Sequence, residues 1–310
     1  MTGPGPVQIA VIGCGAIGSL YAAHLARAPG TQVWAVDPWA AHVEAIRARG
    51  LRVTGQAAFT AQIHATTDGG DLPRCDFGLV ATKSLHTRSA MAGVRAALAD
   101  AAVVSVQNGL GNEEVIAGYV PRVIRGSIVT AGAITAPGEV RYDAPGDSWF
   151  GPFEPQPATP GEITRLAGLL TAGGLRTHAL TDARGPQWAK VIFNAATSPL
   201  AALTGLSVGQ VCTDPGLAGQ VEALIAEAEA ICSRAGIALT RSPHEAVAEA
   251  IEQAYGHKPS MLQDVLARRP TEIDVLNGGI AAEAGRLGIP APRHECMVAL
   301  IKGLERSWAG

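Results

Sequence analysis

A chain of 310 residues is too long for one small hydrophobic core, so two domains are expected. Its 47% hydrophobic and 16% charged content excludes a disordered polypeptide. The net charge of −3, with 24 basic and 27 acidic residues interspersed, offers no basic block for a nucleic-acid backbone, and no run of about 18 apolar residues suggests a membrane span.

The N-terminal half alternates short β-branched runs with alanine-rich stretches. Met1–Pro6 leads directly into an apolar run at Val7–Ile12, read as a strand, with no basic segment and cleavage site before it. A helix over Ile17–Ala28, a strand at Gln32–Val36 and a helix over about Ala40–Arg49 follow. Phe77–Ala81, Ala102–Val106 and Val123–Thr130 read as further buried strands, and Gly138–Phe153 as an antiparallel excursion at the sheet edge. Strands alternating with helices imply βαβ units, hence an α/β N-terminal Rossmann domain with a doubly wound, mostly parallel sheet over residues 1–181. From there the period changes. Gln187–Leu203, Leu217–Ala235 before Gly236, Thr271–Leu287 between Pro270 and Gly288, and His294–Ser307 predict an all-α C-terminal domain over 182–310.

The five cysteines, Cys14, Cys75, Cys212, Cys232 and Cys296, lie far apart without a CxxC pair. They read as reduced thiols, and the cytoplasm is the expected compartment. The eight histidines show no ligand spacing, and Asp68 and Asp71 in a glycine-rich turn read as turn chemistry, so no metal site is expected.

Gly13-Cys14-Gly15-Ala16-Ile17-Gly18 follows the first strand and opens a helix, the context that gives GxGxxG its meaning. Gly13 permits a tight turn, Gly15 lets the backbone approach a pyrophosphate, and Gly18 lets helix and strand pack closely. Asp37 stands nineteen residues after Gly18, at the end of the second strand, with no arginine or lysine close behind. An acid there accepts the ribose hydroxyls and repels a 2′-phosphate, so NAD is expected in preference to NADP; the alternative is that Asp37 caps the following helix.

Several patches in order along the chain resemble the ketopantoate reductase family: the glycine turn, Val80-Ala-Thr-Lys83, Val106-Gln-Asn108-Gly-Leu-Gly111, Trp188-Ala-Lys190-Val-Ile-Phe-Asn194, Pro259-Ser260-Met-Leu-Gln-Asp264, and Thr271-Glu272-Ile-Asp274-Val-Leu-Asn277-Gly278. The resemblance implies an NAD(P)-dependent oxidoreductase that reduces a small 2-oxo acid, with 2-dehydropantoate to (R)-pantoate as the family's reaction. It implies Lys190 as general acid, Asn194 and Ser260 on the substrate, Lys83 and Asn108 along the cofactor and substrate site, and Glu272 on the nicotinamide ribose side. Lysine fits the chemistry, because hydride addition creates an alkoxide that an ammonium stabilises and protonates. A homodimer is implied in the same way.

Three positions depart from the family pattern. Asp37 stands where an arginine is common, Ser198 where a second asparagine is usual, and Val208 where asparagine often precedes Gly209. Fewer polar partners at Ser198 and Val208 leave open an NAD-dependent D-2-hydroxyacid dehydrogenase for branched or aromatic acids. A non-catalytic NAD sensor is a third reading, against which the Lys190 and Asn194 pair stands, since binding alone needs no proton donor.

Overall fold

The structure is a computed structural model and describes residues 5–309. The chain divides into two compact units. One runs up to Gln107 and resumes over Asn112–Ala183; the other is Asn108–Gly111 with the chain from Arg184 onward.

The first unit contains β1 (Val7–Ile12), α1 (Ala16–Leu25), β2 (Thr31–Val36), α2 (Ala40–Arg49), β3 (Leu51–Gly55), β4 (Phe59–Ala61), β5 (His64–Thr66), β6 (Phe77–Val80), α3 (Thr87–Val94), β7 (Ala102–Ser105), α4 (Asn112–Ala117), β8 (Arg122–Ile128), β9 (Ala131–Ala136), β10 (Glu139–Ala144), β11 (Ser148–Pro152), α5 (Pro160–Gly173) and β12 (Thr177–Ala179). Its main sheet has eight strands in the order β12-β11-β8-β7-β6-β1-β2-β5. Neighbours pair in parallel except β11, which runs antiparallel to β8. The central strands β6 and β7 are buried along their whole length, as strands covered on both faces must be. Ile9 and Val11 of β1 enter one cluster with α1, while Ala10 and Ile12 enter another with α3, as a two-residue period requires.

A second sheet of four strands, β4-β3-β10-β9, shares the first cluster through Leu51, Val53, Ala61, Val140 and Tyr142. The expected excursion over Gly138–Phe153 is therefore divided. β10 belongs to the second sheet, and β11 lies in the main sheet with β12 outside it.

The second unit contains α6 (Arg184–Thr204), α7 (Val208–Thr213), α8 (Ala218–Arg234), α9 (Pro243–Gln253), α10 (Ser260–Leu266), α11 (Asn277–Leu287) and α12 (Pro292–Arg306). Val221, Leu224, Ile225, Ala228, Ile231 and Cys232 of α8 are buried at helical spacing, against a core that includes Trp188, Ile192 and Ala196 of α6. The mostly parallel sheet with helices, followed by a helical region, is the architecture read from the sequence.

One helix starts later than its pattern predicts. Thr271 opens a run of turns rather than the helix, which begins at Asn277 and ends, as expected, at left-handed Gly288. The Thr271 amide and hydroxyl both donate to Oε1 of Glu305, at 2.8 and 2.7 Å, which holds the chain at its entry. The Gly278 amide then reaches back to Ile273 O at 3.0 Å, a five-residue span that an α-helix does not make. Glu272 consequently sits in a turn and not on a helix.

Candidate active site

In the first unit the glycine turn joins β1 to α1. Gly13 has φ +87°, and a Cβ on it would lie 2.7–2.9 Å from Thr82; a Cβ on Gly18 would lie 1.8 Å from Gly13 O. These two glycines are demanded by the turn itself and by helix–strand contact. Gly15 differs: it is exposed and a Cβ there meets nothing within 4 Å, so no contact within the chain demands a glycine at this position. Ala16 and Ile17 form the half-buried first turn of α1, which carries no acidic residue to offset its positive end. Open space in front of Gly15 beside that helix start fits the pyrophosphate of a dinucleotide.

Asp37 is half-buried at the end of β2. Its Oδ2 accepts from the Cys14 amide at 2.7 Å and its Oδ1 from the Trp39 amide at 2.9 Å. Lys83 is half-buried two residues beyond Ala81 after β6, at the start of a single 3-10 turn. Near it is a buried network that sequence reasoning missed. Gln107 Nε2 donates to Thr82 O at 2.9 Å and Thr87 Oγ1 at 2.7 Å, while the Ser105 hydroxyl donates to Gln107 Oε1 at 3.2 Å. This ties the ends of β6 and β7 to the start of α3. The signal was a glutamine just after an apolar strand, where only an internal partner could satisfy it.

In the second unit, Lys190, Asn194 and Ser198 lie at successive turns of α6, the first two half-buried and Ser198 buried. Burial lowers the Lys190 ammonium from 10.5 to about 8, with the Glu272 carboxylate opposing part of that fall. Glu272 is itself buried, and its Oε2 accepts from Asn108 Nδ2 at 3.3 Å. Asn108 is placed by its neighbours. Gly109 has φ +86° and lies so near Val275 that a Cβ would fall 2.6 Å from it, and the Leu110 amide donates to Val275 O at 2.8 Å. The structure thus gathers Lys190, Glu272 and Asn108, residues 82 apart or more in sequence. Ser260, the first residue of α10, is exposed and takes no part in those contacts. Val208 is 2% exposed, inside the helical core.

Pro199 lies inside α6 and has no N–H to give Ala195 O, the carbonyl four residues back. Asn277 Nδ2 donates to that carbonyl at 2.9 Å and to His294 Nδ1 at 3.1 Å; His294 Nε2 in turn reaches Leu224 O at 3.1 Å. Asn277 therefore repairs the helix that carries Lys190, Asn194 and Ser198. The sequence held the clue, since a proline inside a helix orphans a carbonyl that a buried side chain must then satisfy.

A parallel sheet with this glycine turn, joined in one chain to a helical unit that desolvates a lysine, defines a dinucleotide-dependent oxidoreductase. Comparison with known proteins specifies which one. Residues 9–155 match the family model "Ketopantoate reductase PanE/ApbA" and residues 182–305 match "Ketopantoate reductase PanE/ApbA C terminal". The chain is 30% identical over 301 residues to a 2-dehydropantoate 2-reductase of Pyrococcus abyssi, covering 96% of this chain and 98% of that one. It also matches a crystal structure of a PanE/ApbA family ketopantoate reductase from Ralstonia eutropha JMP134, with TM-score 0.88 and 29% identity over 98% of this chain and 100% of that one. A D-mandelate dehydrogenase bound to NADH and anilino(oxo)acetate aligns with TM-score 0.87 over 98% and 100% of the two chains, but at 23% identity it shows the shared fold alone. The chain belongs to the ketopantoate reductase family.

That membership corrects the expectation of NAD over NADP. Ketopantoate reductases are NADPH-dependent, and a preference for NAD conflicts with this. The structure shows why Asp37 misled: its carboxylate is used by the backbone amides of Cys14 and Trp39, so its presence is explained by the turn without reference to a ribose.

Proposed function

We propose that the protein reduces 2-dehydropantoate to (R)-pantoate. The observation that carries this reading is the match of both units to the ketopantoate reductase family, with Lys190 half-buried on α6 and its pKa lowered to about 8 by burial against the field of Glu272. A reduced nicotinamide, when bound, would supply the hydride for the keto carbon. The carbonyl π bond breaks toward oxygen, and Lys190 Nζ gives that oxygen its proton, so the product gains one C–H and one O–H bond. With its pKa near operating pH, Lys190 is charged at neutrality yet releases its proton readily. Glu272, held by Asn108, keeps the ammonium from discharging early.

The backbone of Gly13–Gly18 would hold the pyrophosphate, with Lys83 and Asn108 on the dinucleotide. Asn194, one turn beyond Lys190, Asn108 and Ser198 would bind the substrate, and Ser260 its carboxylate. A reducing, cytoplasmic setting agrees with cysteines that are free, four of them buried. Among the described residues no helix is long and apolar enough to cross a membrane. A homodimer through the helical unit, where Leu203, Tyr255, Leu266 and Leu300 are exposed, belongs to the same proposal and is tested by sedimentation.

A second reading is favoured by Ser198, one turn beyond Asn194 on α6, which puts a single hydroxyl where the resemblance leads one to expect an asparagine. Such a site would prefer a branched or aromatic 2-oxo acid. The test is the initial rate of NADPH and NADH oxidation with 2-dehydropantoate, branched 2-oxo acids and phenylglyoxylate. Highest kcat/KM on 2-dehydropantoate supports the first reading; highest kcat/KM on the less polar acids replaces it with the second.

A further inference from the structure

The glycine turn is held from behind by a chain of buried hydrogen bonds that starts in the second sheet. The Gly138 amide, in the turn between β9 and β10, donates to His42 Nδ1 at 3.0 Å. His42 Nε2 lies 3.3 Å from Ser19 Oγ, and the Ser19 hydroxyl donates to Cys14 O at 2.8 Å. On the other side of the same residue, the Cys14 amide donates to Asp37 Oδ2 at 2.7 Å. Cys14, Ser19 and His42 are all buried.

The Gly138 amide fixes the tautomer of His42 in this chain, in which Ser19 Oγ also lies 3.4 Å from Cys14 Sγ. The Gly138 N–H makes His42 Nδ1 an acceptor, so the imidazole carries its hydrogen on Nε2 and donates it to Ser19 Oγ. That leaves the serine hydrogen for Cys14 O. The peptide between Cys14 and Gly15 is planar and trans, so its C=O and N–H point in opposite directions. Drawing Cys14 O inward to Ser19 turns the Gly15 N–H the opposite way, and Gly15 itself is exposed, with nothing within 4 Å of where a Cβ would lie.

We propose that His42 is a positioning residue for dinucleotide binding, acting through Ser19 on the Cys14–Gly15 peptide to aim the Gly15 amide at the ligand's pyrophosphate. This rests on reading the glycine turn as the dinucleotide site. The role of the second sheet follows: the β9–β10 turn fixes the imidazole, and the imidazole fixes the serine.

The two nitrogens of His42 can be separated by substitution. Asparagine places an acceptor near Nδ1 and no donor near Nε2; glutamine places a donor near Nε2 and no acceptor near Nδ1. NADPH affinity is measured by fluorescence titration for the wild type, Ser19→Ala, His42→Asn and His42→Gln, with thermal unfolding to confirm the fold. Ser19→Ala and His42→Asn are expected to weaken NADPH binding about three- to ten-fold, the range one hydrogen bond of ordinary net strength supplies. In steady state this appears as a raised KM for NADPH with kcat little changed. His42→Gln is expected to bind within about two-fold of the wild type, on the same argument that the donor to Ser19 is the contact that matters. Ser19→Ala removes one oxygen from the core, so it tests the chain even if a His42 variant fails to fold. Unchanged affinity in Ser19→Ala, or equal losses in His42→Asn and His42→Gln, overturns the proposal. A wild type that binds neither NADPH nor NADH overturns the reading of the glycine turn, and this proposal with it.

Discussion

Replacing Lys190 by methionine should make the protein more stable while removing its turnover. Burial lowers the Lys190 pKa from 10.5 to about 8, so the charged form is penalised in the folded state. A depression of that size corresponds to about 3 kcal/mol between the two protonation states. Lys190 is only half-buried and Glu272 returns part of the penalty, so roughly 1 kcal/mol is the gain expected at pH 7 after screening. The pH dependence gives the sign. Between about 8 and 10.5 the unfolded chain holds the lysine proton more tightly than the folded one, so wild-type stability rises with pH across that window. Lys190→Met lacks this rise. Urea unfolding of both proteins at pH 7 and pH 10 measures it, the variant leading at pH 7 and the gap closing at pH 10. A variant less stable at pH 7, with the same pH slope as the wild type, would refute the claim that the ammonium is desolvated.

Four further outcomes are expected. The pH profile of kcat should fall as Lys190 loses its proton near 8, and Glu272→Gln should move that fall to lower pH, because the carboxylate holds the proton on; an unmoved profile contradicts the pairing. Gly15→Ala should unfold at the wild-type temperature yet bind NADPH at least about ten-fold more weakly, since its Cβ meets no protein atom but enters the ligand's space. Gly18→Ala should instead lose stability, because its Cβ would sit 1.8 Å from Gly13 O, and calorimetry distinguishes the two. Asn277→Ala should cost about 1–3 kcal/mol by stranding Ala195 O, and less in a Pro199→Ala background where residue 199 regains an N–H for that carbonyl; equal costs in both backgrounds contradict the repair.

The parts of this molecule that were legible in its sequence are those made by neighbours in the chain. The glycine turn, the strands β1, β2, β6 and β7, and helices α6 and α8 announce themselves by local pattern. Others carried a local signal that went unread: Thr159 with Glu162 caps α5 reciprocally, and Ser207 with Gln210 does the same for α7. The second sheet offered less. β3 pairs with β10, so Arg52 lies opposite Glu139, and strands of three to six residues give no pattern long enough to show that pairing. The late start of α11 depends on Glu305, thirty-four residues from the Thr271 it holds. Asp37 shows the limit at the site, where an acid at the expected position serves the backbone of the turn.

The most direct test of the account compares wild type with Lys190→Ala by NADPH oxidation with 2-dehydropantoate, alongside NADPH binding to each. Turnover by the wild type, with kcat lowered at least about a hundred-fold in the variant and NADPH affinity retained, is the expected result, since a positioned general acid supplies that much. Full turnover by Lys190→Ala, or a wild type that binds NADPH and reduces no 2-oxo acid, would contradict the account.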